Sequence, residues 1–384
     1  MSVNCVASMV NLARAVIAAG LLVSSALAAD TAVTPFKLGM FQDADRAFPG
    51  LVLEDTRIVD IAAANAAFER AHHDMPRIRI PADMQALIAG YDHGIGARLR
   101  ALAAANAGAR TAMYVHEIGT LKILPPVRPA VILNAGANYP EHAQGIIDQA
   151  ARAAAALGGG GPPGAPGGNV PRQPPTSKAG LWERAPDDMR PDNPYLFLKS
   201  PSVVVGADDD VVVPRGREEI DWECEFAVVV GRSAKDVSVA AAPNYIFGYS
   251  IEFDVSDREG RGDRKMGGGP DWFVQKNHDT FAPIGPFIVP KEFAPTPMNT
   301  RHYFTLNGEV KQDSNTNHME YNIWEMLSYA SNVMTLNPGD MLSMGTPPGT
   351  NIERQNPRWM KPGDVGVCTV EGIGAQHHHI VAQK

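Results

Sequence analysis

Asp221-Trp222-Glu223-Cys224-Glu225-Phe226-Ala227-Val228-Val229-Val230 is the segment that most narrows what this chain can become. Its second half is apolar and rich in β-branched residues, the composition of a buried strand. Its first half carries an acid at every second position. Strand side chains alternate faces, so Asp221, Glu223 and Glu225 share one face, and Trp222, Cys224, Phe226 and Val228 share the other. Two steps of strand rise put Glu223 and Glu225 about 7 Å apart. Carboxylates that close repel, and one holds a proton unless a cation compensates. Alternation alone also describes an edge strand with a solvated polar face.

A second stretch, Gly248-Tyr249-Ser250-Ile251-Glu252-Phe253-Asp254-Val255-Ser256, brings another carboxylate to the end of an apolar strand. Three carboxylates with waters make an oxygen-rich octahedral site. Such a site suits Mg²⁺, Mn²⁺ or Ca²⁺ rather than zinc, which prefers His and Cys. The net charge of −8 argues against broad electrostatic binding to nucleic acid or to an anionic membrane.

The rest of the chain is organised around these two segments. Arg14, the apolar run Ala15 to Val23 and the small-x-small triplet Ala26-Leu27-Ala28 read as a signal peptide over residues 1–28. The chain is therefore expected to be exported, periplasmic or secreted; a mis-called start would leave it cytoplasmic. No later segment is long and apolar enough to cross a bilayer. Residues 35–125 read as a small N-terminal α/β cap. Its strands lie at Phe36 to Met40 and Thr56 to Ile61, and its helices at Ala62 to Ala71 and Met84 to Ala107.

Residues 129–380 read as the main domain, β-rich, with a helix at Ile323 to Val333. An insertion at about 145–190 interrupts it. Gly158 to Gly168 is almost entirely Gly and Pro and is expected to be mobile, preceded by an alanine-rich helix. Cys5 would leave with the signal, and Cys224 and Cys368 are expected as small buried apolar residues rather than a disulfide framework. His377-His378-His379 alternates faces, so it reads as an exposed C-terminal strand rather than a metal site.

Six motifs in order carry a family resemblance: Asn138-Tyr139-Pro140-Glu141-His142-Ala143; Glu223-Cys224-Glu225; Asp254-Val255-Ser256-Asp257-Arg258; Trp272 to Pro283; Leu306 to Thr316; and Gly345-Thr346-Pro347-Pro348-Gly349-Thr350 after the Pro338-Gly339-Asp340 turn. Together they resemble the fumarylacetoacetate hydrolase (FAH) superfamily. The resemblance implies an α+β, β-rich fold: a mixed β-sheet roll or barrel with a small N-terminal cap. It also implies a homodimer.

Carried over by position, the resemblance makes Glu223, Glu225 and Asp254 ligands of Mg²⁺, or of Mn²⁺ or Ca²⁺. Lys276 would donate to a substrate oxyanion or carboxylate. Arg258 would pair with a substrate acid group, Thr346 would offer its hydroxyl to a carboxylate, and His142 would activate water. Lys199 resembles a family lysine near the site; a direct role and a salt bridge stand side by side. Each residue also has an ordinary alternative: a surface lysine, an arginine pairing structurally with Asp254, a polar loop histidine, a turn threonine.

The sequence also departs from the family. Phe253 stands where many members have Asn, Asp257-Arg258 replaces Ala-Arg, and Gly145 follows His142 where some members carry a glutamate on a lid. The partner of His142 is left among Glu141, Asp148 and Glu353. The implied activity is metal-dependent C–C hydrolysis of an acylpyruvate or fumarylacetoacetate-like 1,3-dicarbonyl acid. A hydratase, isomerase or decarboxylase of 2-oxo acids (2-hydroxyhepta-2,4-diene-1,7-dioate isomerase type) is the alternative at the same site. A non-catalytic binder of small keto acids is the third reading.

Overall fold

The computed structural model describes residues 33–108, 111–156, 193–261 and 271–384. The expected signal segment and the Gly/Pro run lie outside the described residues. Pro35 to Lys384 form one unit built on three main sheets.

The first sheet holds five antiparallel strands within Lys37–Leu124, packed against the helices Ile61–Ala71 and Ile95–Asn106. The single helix expected over Met84 to Ala107 is broken into Met84–Ala89 and Ile95–Asn106. Gly90 and Gly94 interrupt it, and Gly94 adopts φ +104°, which a right-handed helix cannot continue through.

The second sheet is the centre of the molecule. Its strands run in the order Val289–Pro290, Ile246–Phe253, Cys224–Val230, Met341–Ser343, Ile132–Gly136, Tyr195–Lys199. Met341–Ser343 and Ile132–Gly136 pair in parallel and the other neighbours antiparallel, so the sheet is mixed. The third sheet orders Glu309–Asn315, Arg301–Leu306, Val365–Val370, Gly374–Ala382 and Val211–Val213. Strands dominate and helices are few, so the fold is α+β and β-rich, as the resemblance implies.

Cys224–Val230 is a central strand, not a solvated edge. Cys224, Phe226, Val228 and Val230 pack in one core with Phe304, Cys368 and Val370 of the third sheet. Ala227 and Val229 pack on the opposite side with Leu38, Leu51 and Val59 of the first sheet. A strand covered on both faces cannot leave its acids in water. Asp221, Glu223 and Glu225 are all buried, and each therefore needs a partner.

Two expectations about the ends of this fold change. Cys224 and Cys368 are buried as expected, but they are joined in a disulfide. They lie 144 residues apart on strands of different sheets that face each other across the core, a proximity that sequence spacing does not reveal. The histidine strand is not exposed either. It lies between Val365–Val370 and Val211–Val213, with His378 buried and its two neighbours facing outward. The helix Ile323–Val333 has the expected bounds, fixed by a capping box between Asn322 and Glu325.

His302, on Arg301–Leu306, ties the sheets together near the first functional motif. Its Nδ1–H donates to Cys224 O at 3.2 Å, and its Nε2 accepts from the Tyr139 hydroxyl at 2.8 Å. The neutral tautomer with its proton on Nδ1 satisfies both ring nitrogens, and burial lowers the imidazole pKa to about 4. The unfolded chain therefore takes up this proton first as pH falls. The stability His302 contributes is present above pH 6.5 and is lost between 6.5 and 4, amounting to roughly 3 kcal/mol at about 1.36 kcal/mol per unit. Urea unfolding in EDTA from pH 7 to 4.5 is expected to show a shallower pH slope for His302→Gln than for the parent. Equal slopes would show that this histidine does not titrate on unfolding.

Candidate metal centre and active site

The strand pairing assembles the acidic cluster. Cys224–Val230 and Ile246–Phe253 run antiparallel with Cys224 opposite Phe253 and Glu225 opposite Glu252. The same register continues outward, where the Asp254 amide donates to Glu223 O at 2.9 Å. Opposed residues share a sheet face, so Glu223, Glu225, Glu252 and Asp254 gather on one side. Oxygens of Glu223, Glu225 and Asp254 all lie within 4.8 Å of one another. Glu252 was not assigned a role from sequence. Its signal was the same two-residue spacing, Glu252 then Asp254, that marks Glu223 and Glu225.

Three cations meet these acids. Lys276, at the end of the short helix Trp272–Lys276, donates to Glu223 Oε2 at 2.7 Å and to Asp254 Oδ2 at 2.6 Å. Lys199 hydrogen-bonds to Asp254 and donates to Val255 O at 3.2 Å. Its role here is thus a buried salt bridge to a candidate ligand. Arg258 donates from Nε to Asp221 Oδ2 at 2.9 Å and also pairs with Glu223, not with Asp254.

Five buried carboxylates (Asp221, Glu223, Glu225, Glu252, Asp254) thus face three cations, two of them buried and Arg258 half-buried, a deficit of two positive charges if all are ionised. The deficit appears in the acids. Burial pushes the Glu225 carboxyl well up, and Asp254, Glu223 and Glu252 push it further. Burial raises Glu252 to about 7, with Lys199 offsetting part of the rise. Glu223 is the exception: burial opposes its charge, but Lys276, Arg258 and His142 hold it below the usual carboxylate range. An all-oxygen donor set two charges short fits a hard divalent cation.

The Glu225 carboxylate is aimed by Ser343 Oγ at 2.6 Å and the Gly345 amide at 3.0 Å, both donating to Oε2. Thr346 follows, buried, its hydroxyl accepting from Gln312 Nε2 at 2.7 Å and left free to donate into the cavity.

His142 lies in the first turn of the helix Pro140–Ala156. Its Nδ1 bonds Glu353, which settles the partner left open in the sequence. Burial would raise the Glu353 carboxyl, but His142, the Gly349 amide and the Thr350 hydroxyl hold it below its ordinary value. An ionised Glu353 accepts the hydrogen bond from Nδ1–H, which leaves Nε2 as the nitrogen able to take a proton, and His142 lines the same cavity as Glu223 and Glu225.

Asp221, assigned no separate role from sequence, connects the two halves of the site. It accepts from Arg258 and from the amides of Asn351 and Ile352, next to Glu353. The cavity shared by these residues has a volume of about 510 Å³.

The comparisons with known proteins agree with this geometry. The fumarylacetoacetate (FAA) hydrolase C-terminal family matches residues 165–381. The chain belongs to the fumarylacetoacetate hydrolase family. A mitochondrial oxaloacetate tautomerase of Rattus norvegicus is 37% identical over 191 residues, 50% of this chain and 60% of its own length. The chain thus spans less than two thirds of that relative. An uncharacterized protein of Pyrococcus abyssi is 39% identical over 194 residues and is covered over 82% of its length. Among solved structures, a maleylpyruvate hydrolase from Sphingobium sp. in complex with manganese (II) ion and pyruvate aligns at 25% identity. Its TM-score is 0.60, with 91% of this chain and all of that one covered. A fumarylacetoacetate hydrolase from Exiguobacterium antarcticum shares the fold at TM-score 0.59, 22% identity and the same two coverages.

For a fumarylacetoacetate hydrolase family member, Gly145 explains how Glu353 reaches His142. A Cβ at Gly145 would fall 2.6 Å from Glu353 Cγ, so the missing side chain is the space Glu353 occupies. Inside a helix Gly costs about 1 kcal/mol relative to Ala, a cost set against that contact. Gly145→Ala is expected to fold and to lose about tenfold or more in kcat, because the displaced Glu353 no longer orients the base. Unchanged steady-state kinetics in that variant would show that the packing at Gly145 does not matter for turnover.

Proposed function

We propose that this protein is a divalent-metal-dependent hydrolase that cleaves the C–C bond of a 2,4-dioxo acid of the acylpyruvate class. The observation that carries the reading is the His142–Glu353 pair, a base with a half-buried carboxylate behind it, opening on the cavity of the acidic triad. Glu223, Glu225 and Asp254 would hold the ion, Mg²⁺ or Mn²⁺, and a bound ion would supply Lewis-acid polarisation of substrate oxygens.

The chain's own groups do the rest. Thr346 and Lys276 bind the acid end and steady negative charge on oxygen. His142 Nε2 takes a proton from water, while Glu353 stabilises the imidazolium. The water oxygen attacks the carbonyl remote from the acid. The bond from that carbon to the methylene breaks, its electron pair leaving as the enolate of pyruvate. The proton held by His142 is delivered to the methylene carbon of that enolate, which becomes the methyl group of pyruvate, so one water and one dioxo acid give pyruvate and a carboxylic acid.

A manganese- and pyruvate-bound maleylpyruvate hydrolase with the same fold supports this reading. A second reading, keto–enol tautomerisation of a 2-oxo acid at the same site, is favoured by the 37% identical oxaloacetate tautomerase. Mass spectrometry separates them. With Mg²⁺ or Mn²⁺ and a panel of 2,4-dioxo acids, pyruvate is expected as a product, lost in EDTA and restored by metal. His142→Asn is expected to lower kcat by about 10²–10⁴. Intact acid with only enol–keto exchange would establish the tautomerase instead.

Export is supported by the Cys224–Cys368 disulfide, a bond that persists in oxidising compartments. N-terminal sequencing of protein from the native host is expected to begin at Ala29; an intact Met1 in a cytoplasmic fraction would refute export. Exposed Tyr195, Leu198 and Phe273, on the edge strand of the central sheet and the adjoining helix, are consistent with a homodimer.

A further inference from the structure

We propose that the cavity selects a dioxo acid with one acidic end and a flat apolar tail, such as an aryl group, rather than a small or distally acidic substrate. This rests on the metal-dependent reading above and concerns the part of the same site that the chemistry does not use.

The cavity is divided by chemical character. Its cations, Lys276 and Arg258, stand at one end, and both bond Glu223 of the triad. The remaining wall has no charged group among the described residues and is formed largely by Ile146, Ile147, Tyr195, Phe197 and Trp272. The rings make a connected surface. Phe197 stacks on Trp272 with centroids 4.5 Å apart, and Tyr195 lies 5.6 Å from Trp272. Lys276 Nζ sits 5.0 Å from the Phe197 centroid and 5.9 Å from that of Trp272, so it marks the junction between the two ends.

Another part of the lining comes from the helix that carries His142. His142 and Ile146 are one helical repeat apart, as are Ala143 and Ile147, so one helix face turns from polar to apolar as it leaves the triad. A volume of about 510 Å³ lies in the range of roughly 300–1,000 Å³ that encloses drug-sized ligands, more than a four-carbon keto diacid fills. A distal carboxylate would be desolvated against aromatic rings without a partner cation, whereas an aryl tail would stack.

The test compares 2,4-dioxo-4-phenylbutanoate, 2,4-dioxopentanoate and 2,4-dioxohexanedioate with Mn²⁺. kcat/KM for the phenyl compound is expected to exceed that of both others by about tenfold or more. Trp272→Ala is expected to collapse that ratio. Calorimetric binding of the same three acids to His142→Asn with Mn²⁺ reads the preference without turnover. Tightest binding of the phenyl acid by His142→Asn, without pyruvate release by the parent, would keep the tail preference and refute the hydrolase. Pyruvate release with equal or better use of the diacid or the methyl compound would keep the hydrolase and overturn the tail preference. So would a ratio unmoved by Trp272→Ala.

Discussion

Everything in this site follows from placing acids on a strand that is buried on both faces. The Cys224–Val230 strand is covered by the third sheet on one side and by the first sheet on the other, and Glu225 opens its acidic face. A carboxylate there cannot rely on water, so the fold must bring charge to it. Lys199, Lys276 and Arg258 arrive from three separate segments, and each makes contact with a named acid. They neutralise three of the five. If all five are ionised, what remains is a local demand for two positive charges in an all-oxygen setting, which fits a hard divalent ion.

Much of this was legible in the chain because it depends on local periodicity. The alternation of Glu223 and Glu225 states the shared face, and Asp254 supplies a third carboxylate just past the neighbouring apolar strand, while the burial that separates the cluster from a solvated edge depends on the fold. The α+β, β-rich architecture and the helix Ile323–Val333 are likewise written in runs, turns and caps. What was not legible depends on contacts distant in sequence. Glu353 lies 211 residues from His142, and three acids were available as its partner until the turn after Gly349 was seen to deliver one of them. Cys224 and Cys368 meet across the core from different sheets. Arg258 looked like a hand for substrate, and the fold gives it to Asp221 and Glu223 first. Asp221 escaped notice as a positioning residue because its partners, the amides of Asn351 and Ile352, are backbone groups that carry no side-chain signature.

The Gly145–Glu353 contact shows how a departure from a family pattern can be a compensation. Where some family members carry a glutamate on a lid after the histidine, this chain has Gly145, with no side chain, and the space is filled by a carboxylate from the Thr350–Glu353 turn. That turn is itself fastened by Asp221, which also holds Arg258 beside Glu223. The orientation of the base and the electrostatics of the triad are therefore mechanically linked. A change at Asp221 acts on both without touching substrate.

The helix Pro140–Ala156 carries this linkage outward. Its first turn holds His142 against Glu353, and its next turn offers Ile146 and Ile147 to the cavity that Phe197 and Trp272 also line. Under the proposed mechanism this one helix would set both where the proton is taken and what lies along the substrate's far end. A tail that filled the apolar end would press on the same helix that carries His142, so binding energy gained far from the reacting bond would be available to hold the imidazole in register. A short acid leaves that contact unmade. Discrimination between tails would then appear in kcat as well as in KM, because the group being positioned is the base itself and not only the substrate.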